Sequence, residues 1–126
     1  MPVHVGKAEF GRLVEAALAE LPEPFAAHLE RVPIEVRDRP TFEQLKSVGL
    51  DEDELLLGLY VGTSLPDESV LHDMEWPSVI YLFQDDLEEV CDTLDQLRRE
   101  IRTTVLHEIG HHFGMDEDQL DALGYG

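Results

Sequence analysis

Between Thr93 and Gly114 the sequence carries a helical pattern long enough to dictate one long helix with two unlike faces. At 100° per residue, with His107 set at 0°, Leu94, Leu97, Ile101, Val105, Leu106, Ile109 and Phe113 fall on an arc from about 80° to 260°. An apolar arc that wide has to be buried, and a sheet is the surface that receives it. Thr93 has the character of an N-cap with Gln96 three residues on, and Gly114 can take the left-handed conformation that ends helices. The opposite face is polar, centred on His107 and His111 and flanked by Thr103 and Thr104. His112, near 140°, points into the apolar arc and reads as a core histidine bonded to backbone rather than a ligand.

His107 and His111 stand four apart, about 40° from each other on the helix surface. Two imidazoles one turn apart can reach a single ion. Glu108, near 100°, sits where the polar face meets the apolar one, placed to handle a water on that ion. The string His107-Glu108-Ile109-Gly110-His111 is the H-E-x-x-H pattern, and the chemistry that needs those residues at that spacing is zinc-dependent hydrolysis. With Gly114 and Glu117 the pattern extends to H-E-x-x-H-x-x-G-x-x-E, which this composition produces by chance in roughly one chain in a thousand or two. That rarity favours a metal site over a charged surface helix.

Fifteen residues follow His111, so the third ligand is expected from the turn after Gly114 or from upstream. Glu117 is the first candidate, because a glycine turn swings that position back toward the ion. Asp116-Glu117-Asp118-Gln119 also reads as the cap of a last short helix, and Asp116 and Asp118 are the alternatives for the ligand. His72, in the loop before Pro77, is an outside candidate.

The remaining elements are shorter. Phe10, Leu13, Val14, Ala17, Leu18 and Leu21 recur at helical spacing over residues 6–21, before Pro22 and Pro24. Phe25–Arg31 reads as a short second helix and Val32–Arg37 as a strand with alternating β-branched residues. Thr41 is a cap for a helix through Lys46, with Gln44 completing a capping box. The acidic Asp51–Glu54 run reads as a solvated turn. Leu55–Val61 is an apolar run in which Gly58 and Gly62 mark a bulge or a close approach of backbone. Val79–Phe83 is a second near-continuous apolar run of strand length, and Asp85–Val90 a short helix. Helix, strands, then a long helix on a small sheet indicate the α+β class, and 126 residues make one domain over 1–126.

Composition narrows the partners. Twenty-eight acidic residues against nine basic ones give a net charge of −19, which argues against nucleic acid and against an anionic membrane. A single cysteine, Cys91, excludes an internal disulfide framework and a multi-cysteine metal knuckle. No basic stretch followed by an apolar run stands at the start and no apolar run approaches 18 residues, so the expected compartment is the cytoplasm. Asn is absent and Arg outnumbers Lys, a lean toward a heat-adapted source.

The segments HEIGHHFG (His107–Gly114), LLGLYVGTS (Leu56–Ser64) continuing through Leu65–Ser69, and SVIYLF (Ser78–Phe83) resemble the small, single-domain bacterial zincin-like metallopeptidases, sometimes called minimal zincins. The resemblance runs over nearly the whole chain. It implies a small mixed sheet packed against the H-E-x-x-H helix and an N-terminal helix, zinc at His107 and His111, and Glu108 as the acid/base. The family usually carries aspartate where this chain has Glu117, which lengthens that ligand by a methylene. The motif also resembles the longer metzincin pattern, with Glu117 in place of its last histidine.

The function expected is hydrolysis of a peptide or protein substrate, with Zn2+ as cofactor and Glu108 moving the proton. Val79–Phe83 is expected to offer an edge on which an extended peptide pairs, and Tyr60, Tyr81 and Tyr125 are candidate oxyanion donors. The rival expectation is a zincin-fold binding protein, with a partner-regulated enzyme between the two. An intact Glu108 favours the enzyme, since a binder has no use for it.

Overall fold

The computed structural model describes residues 1–23, 25–62, 78–112 and 118. Its first helix, α1 (Lys7–Ala19), turns Phe10, Val14 and Ala17 inward, the 3- and 4-residue spacing that the sequence sets. It is shorter than the apolar pattern, which continues to a buried Leu21 just before Pro22. A single turn, α2 (Phe25–His28), follows, ending short of the expected Arg31 because Val32 N–H folds back onto the Leu29 carbonyl at 3.3 Å. Strand β1 (Ile34–Arg37) also starts late. Pro33 has no N–H to give, although its carbonyl accepts from Ile80 N at 3.0 Å, so the ladder is carried from Ile34 onward.

Helix α3 (Phe42–Ser47) opens on the predicted capping box: Gln44 N donates to Thr41 Oγ1 at 3.1 Å, and Thr41 N donates to Gln44 Oε1 at 2.9 Å. Strand β2 is confined to Gly58–Val61 rather than the whole apolar run from Leu55. The reason is local, since Leu56 N–H is taken by the Asp86 carboxylate at 2.9 Å instead of by a neighbouring strand. Strand β3 (Val79–Phe83) runs directly into α4 (Gln84–Glu89), with Phe83 as its N-cap. The long helix, α5 (Leu94–His112), is capped by Thr93 Oγ1, which accepts from Gln96 N at 3.1 Å. Gln96 Oε1 reaches past the cap to Asp92 N at 2.7 Å, one residue beyond the partner of a regular capping box.

The strands form a mixed sheet in the order β1-β3-β2, with β1 parallel and β2 antiparallel to β3. This is the α+β arrangement that the pattern indicates, with one correction. Val79–Phe83 is paired on both sides and offers no edge to a peptide; among the described residues the outer edges belong to β1 and β2. Ile80 and Leu82 turn one face of β3 into the core, and on the other Phe83 is buried while Val79 and Tyr81 are half-buried.

Ile80 and Leu82 of β3, Phe10 and Ala17 of α1, and Leu97, Ile101, Val105 and Ile109 of α5 make one core. From Leu97 to Ile109 the apolar arc of α5 is thus buried as its periodicity demands, while Leu94 at the helix start is exposed. Arg98 joins the ends of the two long helices, pairing with Glu20 after α1 and with Asp95 in the first turn of α5. Cys91 is buried and free, and among the described residues no helix is long and apolar enough to cross a membrane.

Asp86 is a buried carboxylate in this frame. Burial raises it above the ordinary aspartate range, while Leu56 N–H and Arg39 act in the opposite sense and Asp85 and Glu89 add to the rise. An acid raised by folding contributes stability that is present below its ordinary value and lost as pH climbs through the raised one. Asp86→Asn keeps an oxygen for Leu56 N–H and removes the buried charge. Its melting temperature is expected to exceed that of wild type at neutral pH by a few degrees, the scale on which one substitution moves such a domain. Thermal melts should show the gap closing as pH falls through the carboxylate range; a variant less stable than wild type at pH 7 refutes this account.

Candidate active site

The two histidines lie on the last turns of α5, one helical turn apart, with ring centroids 4.8 Å from each other and planes at 77°. Both are partly exposed, as expected of a polar face turned from the core. Glu108 lies at the margin and is only 8% exposed. The nitrogens of His107 and His111 and a carboxylate oxygen of Glu108 all lie within 4.8 Å of one another, the group of His, Cys, Asp and Glu able to hold an ion among the described residues. Imidazole nitrogen and carboxylate oxygen are the donors that zinc takes, and a two-histidine pair leaves positions for a third ligand and a water. The residues therefore fit the metal that the motif implies.

Glu108 is held by its two ends differently. Oε1 accepts a hydrogen bond from Tyr60 N at 2.8 Å, while Oε2 faces His107 Nε2 at 4.0 Å. The donor comes from the outer edge of β2. Phe83 N donates to the Leu57 carbonyl at 3.0 Å, one step beyond the Gly58–Leu82 pair. In an antiparallel ladder the hydrogen-bonded pairs alternate, so residues 57, 59 and 61 address β3 and Tyr60 N–H points away from it. That amide meets the carboxylate of α5.

Gly58 explains how the strand comes so close. A Cβ there would sit 2.6 Å from Thr104 Cγ2, 3.1 Å from the Tyr81 carbonyl oxygen and 3.6 Å from Glu108 Cγ. Of the two readings the sequence offers for Gly58, a bulge or a close approach, the second holds: Gly58 pairs in regular register with Leu82 and lies close to Thr104. Thr104, which flanks the histidine face, is buried in this seam. Gly62, the other flagged glycine, has a φ of +150°, and a Cβ on it would collide with Ser78.

Two of the three oxyanion candidates lie among the described residues. Tyr60 Oη lies 3.4 Å from Ser78 Oγ, and the Tyr81 ring stacks with Phe83 at 6.3 Å and lies 5.6 Å from the Arg37 guanidinium carbon. Tyr125, Glu117, Asp116, His72, Phe113 and Gly114 lie outside the described residues, as does the side chain of His112; Asp118 is exposed. Sequence reasoning missed the Tyr60 amide, since a backbone donor has no residue-type signature. It also missed the buried pair Gln84 and Glu88, which fasten the N-terminal segment. Val5 N donates to Glu88 Oε2 at 3.1 Å, and Gln84 Nε2 donates to the Val5 carbonyl at 3.0 Å.

The sequence matches the family model of the zincin-like metallopeptidases over residues 29–126. Among curated proteins none matches the chain. The fold is similar to that of a solved structure, a conserved hypothetical protein from Thermo thermophilus, with a TM-score of 0.54 and 24% identity over 94% of this chain and 97% of that one.

Proposed function

Because the chain belongs to the zincin-like metallopeptidase family, we propose that it is a zinc-dependent peptidase in which His107 and His111 hold the ion and Glu108 is the general acid/base. The observation that carries this reading is the divided engagement of Glu108, one oxygen on the Tyr60 amide and the other turned to His107. A carboxylate pinned by one oxygen keeps the other in a fixed place, which a general base needs before its pKa matters. Zinc, when bound, supplies a Lewis acid for the scissile carbonyl and a water acidified toward neutral pH. Glu108 Oε2 removes the proton of the attacking water and delivers it to the leaving amine. The burial of Glu108 keeps bulk water from competing for that proton and strengthens the electrostatic effect of its charge.

The substrate is an extended segment of a peptide or protein. It lies against the outward carbonyls of β2, since the Tyr60 amide on that edge is held by Glu108, and not along β3. Glu117, six residues after His111 in the extended motif, is the third ligand. The charge of −19 repels nucleic acid and anionic lipid, and the site works in the cytoplasm, open to regulation by a protein partner that deepens the cleft.

The test is hydrolysis of fluorescein-labelled unfolded casein by purified, zinc-reconstituted protein. Activity is expected to vanish with a chelator and return with added zinc, while the circular dichroism of the protein stays native. If zinc-loaded protein cleaves neither casein nor a broad peptide library, the fold serves binding instead.

A further inference from the structure

We infer that Gly58 is a positioning residue for the general base: the missing side chain at 58 lets β2 lie in the seam between Thr104 and Glu108, and so brings the Tyr60 amide onto the Glu108 carboxylate. The inference rests on the peptidase reading given above and adds to it the device that orients Glu108. Thr104 and Glu108 are four apart, so they lie one above the other on α5, about 40° apart in azimuth. Gly58 faces both, with the nearest Thr104 and Glu108 carbons at 2.6 Å and 3.6 Å from where a Cβ would stand. Two residues further along β2, on the same outer side of the strand, Tyr60 N donates to Glu108 Oε1 at 2.8 Å.

The contact has little slack. Thr104 is buried and β-branched, so in a helix its χ1 is restricted and the Cγ2 methyl cannot swing away freely. Behind Gly58 stands the Tyr81 backbone carbonyl at 3.1 Å, fixed in the central strand. A methyl group at 58 therefore has to lift β2 off α5, and the lift is transmitted over two residues to the amide that holds Glu108. The three atoms nearest to a Cβ at 58 belong to Thr104, Tyr81 and Glu108 and not to either histidine, so the device acts first on the base and not on the metal pair.

The geometry provides its own rescue. The atom that an alanine at 58 meets first is Thr104 Cγ2, the one heavy atom that serine lacks. Gly58→Ala, Thr104→Ser and the double variant thus form a cycle in which the second change restores the space that the first one fills.

Three readouts decide. In apo protein, hydrogen exchange of the Tyr60 amide, followed by NMR, should accelerate in Gly58→Ala and return toward the wild-type rate in the double variant. Titration with zinc alone should give the same affinity for Gly58→Ala as for wild type. On labelled casein, kcat of zinc-loaded Gly58→Ala should fall roughly ten- to a hundredfold with KM little changed, the usual consequence of misplacing a catalytic group by about 1 Å. The double variant should recover most of that loss. Exchange of the Tyr60 amide that ignores Gly58→Ala overturns the inference, as does a double variant no better than Gly58→Ala, or a loss of zinc affinity in step with kcat. Should Gly58→Ala fail to fold, recovery of folding in the double variant supports the seam and continued misfolding refutes it. Wild type inert toward casein sinks the peptidase reading, and the apo-protein exchange then decides the positioning by itself.

Discussion

Glu108→Gln is expected to bind zinc as wild type does and to lose at least about a hundredfold in kcat, the usual contribution of a positioned general base. The substitution is informative because it changes so little else. Gln has the size of Glu, so the buried position beside Gly58 and Thr104 is filled as before. Its amide oxygen can accept from Tyr60 N, which preserves the 2.8 Å tether that joins β2 to α5. What disappears is the negative charge and the ability to take a proton at the oxygen turned toward His107. Zinc content and rate therefore separate: metal analysis should give equal zinc in the two proteins while casein hydrolysis collapses in one. If Glu108→Gln cleaves as fast as wild type, the base lies elsewhere and the mechanism proposed for Glu108 is wrong. If zinc and activity fall together, the carboxylate contributes to the metal and not only to the proton.

Much of this site is legible in the sequence because it lies on one regular element. A helix advances at a fixed 100°, so the spacing of Leu97, Ile101, Val105 and Ile109 fixes which side is buried and the spacing of His107 and His111 fixes what the other side can hold. The Thr41–Gln44 capping box is legible for the same reason, since its reciprocal bonds join residues three apart. Gly58 is half legible. A glycine inside an apolar run says that something comes close, but Thr104 is 46 positions away and nothing in either neighbourhood names the other.

Strand order belongs to the part that local pattern does not encode. The run Val79–Phe83 announces a strand, and its continuous hydrophobicity fits a covered one; which strands flank it is decided by the chain path between elements. Expecting an edge there gave too little weight to that continuity. The shortening of β2 has a similar origin. Leu56 has every appearance of a strand residue, and only the long-range bond from its N–H to Asp86, 30 positions away, removes it from the ladder. The buried Glu88 was missed because acidic residues on a short helix read as solvated. Here the N-terminal segment covers it and supplies the Val5 amide as its partner.

His111→Ala is expected to cut zinc from about one equivalent per chain to a small fraction of it, and to do so without unfolding the protein. The first half follows from the donor set. Zinc in a catalytic site takes three protein ligands, and removing one of two imidazoles leaves a single histidine and a carboxylate to hold an ion that binds best to a complete set. The second half follows from the position of the core. Phe10, Ile80, Leu82, Leu97, Ile101, Val105 and Ile109 bury their side chains with no help from the histidines, which lie on the polar face of α5. The fold is therefore not metal-built, and apo wild type and His111→Ala should melt at nearly the same temperature. Elemental analysis after reconstitution, read beside thermal melts, tests both halves together. Equal zinc in variant and wild type would remove the metal from this helix altogether, and a chelator that melts the wild type completely would show a structural ion instead of a catalytic one. The same assay ranks the third ligand. Glu117→Ala should weaken zinc binding and Asp118→Ala should leave it nearly unchanged, in keeping with the exposure of Asp118. The opposite ranking transfers the ligand one position along the chain and leaves His107, His111 and Glu108 in the roles argued for them.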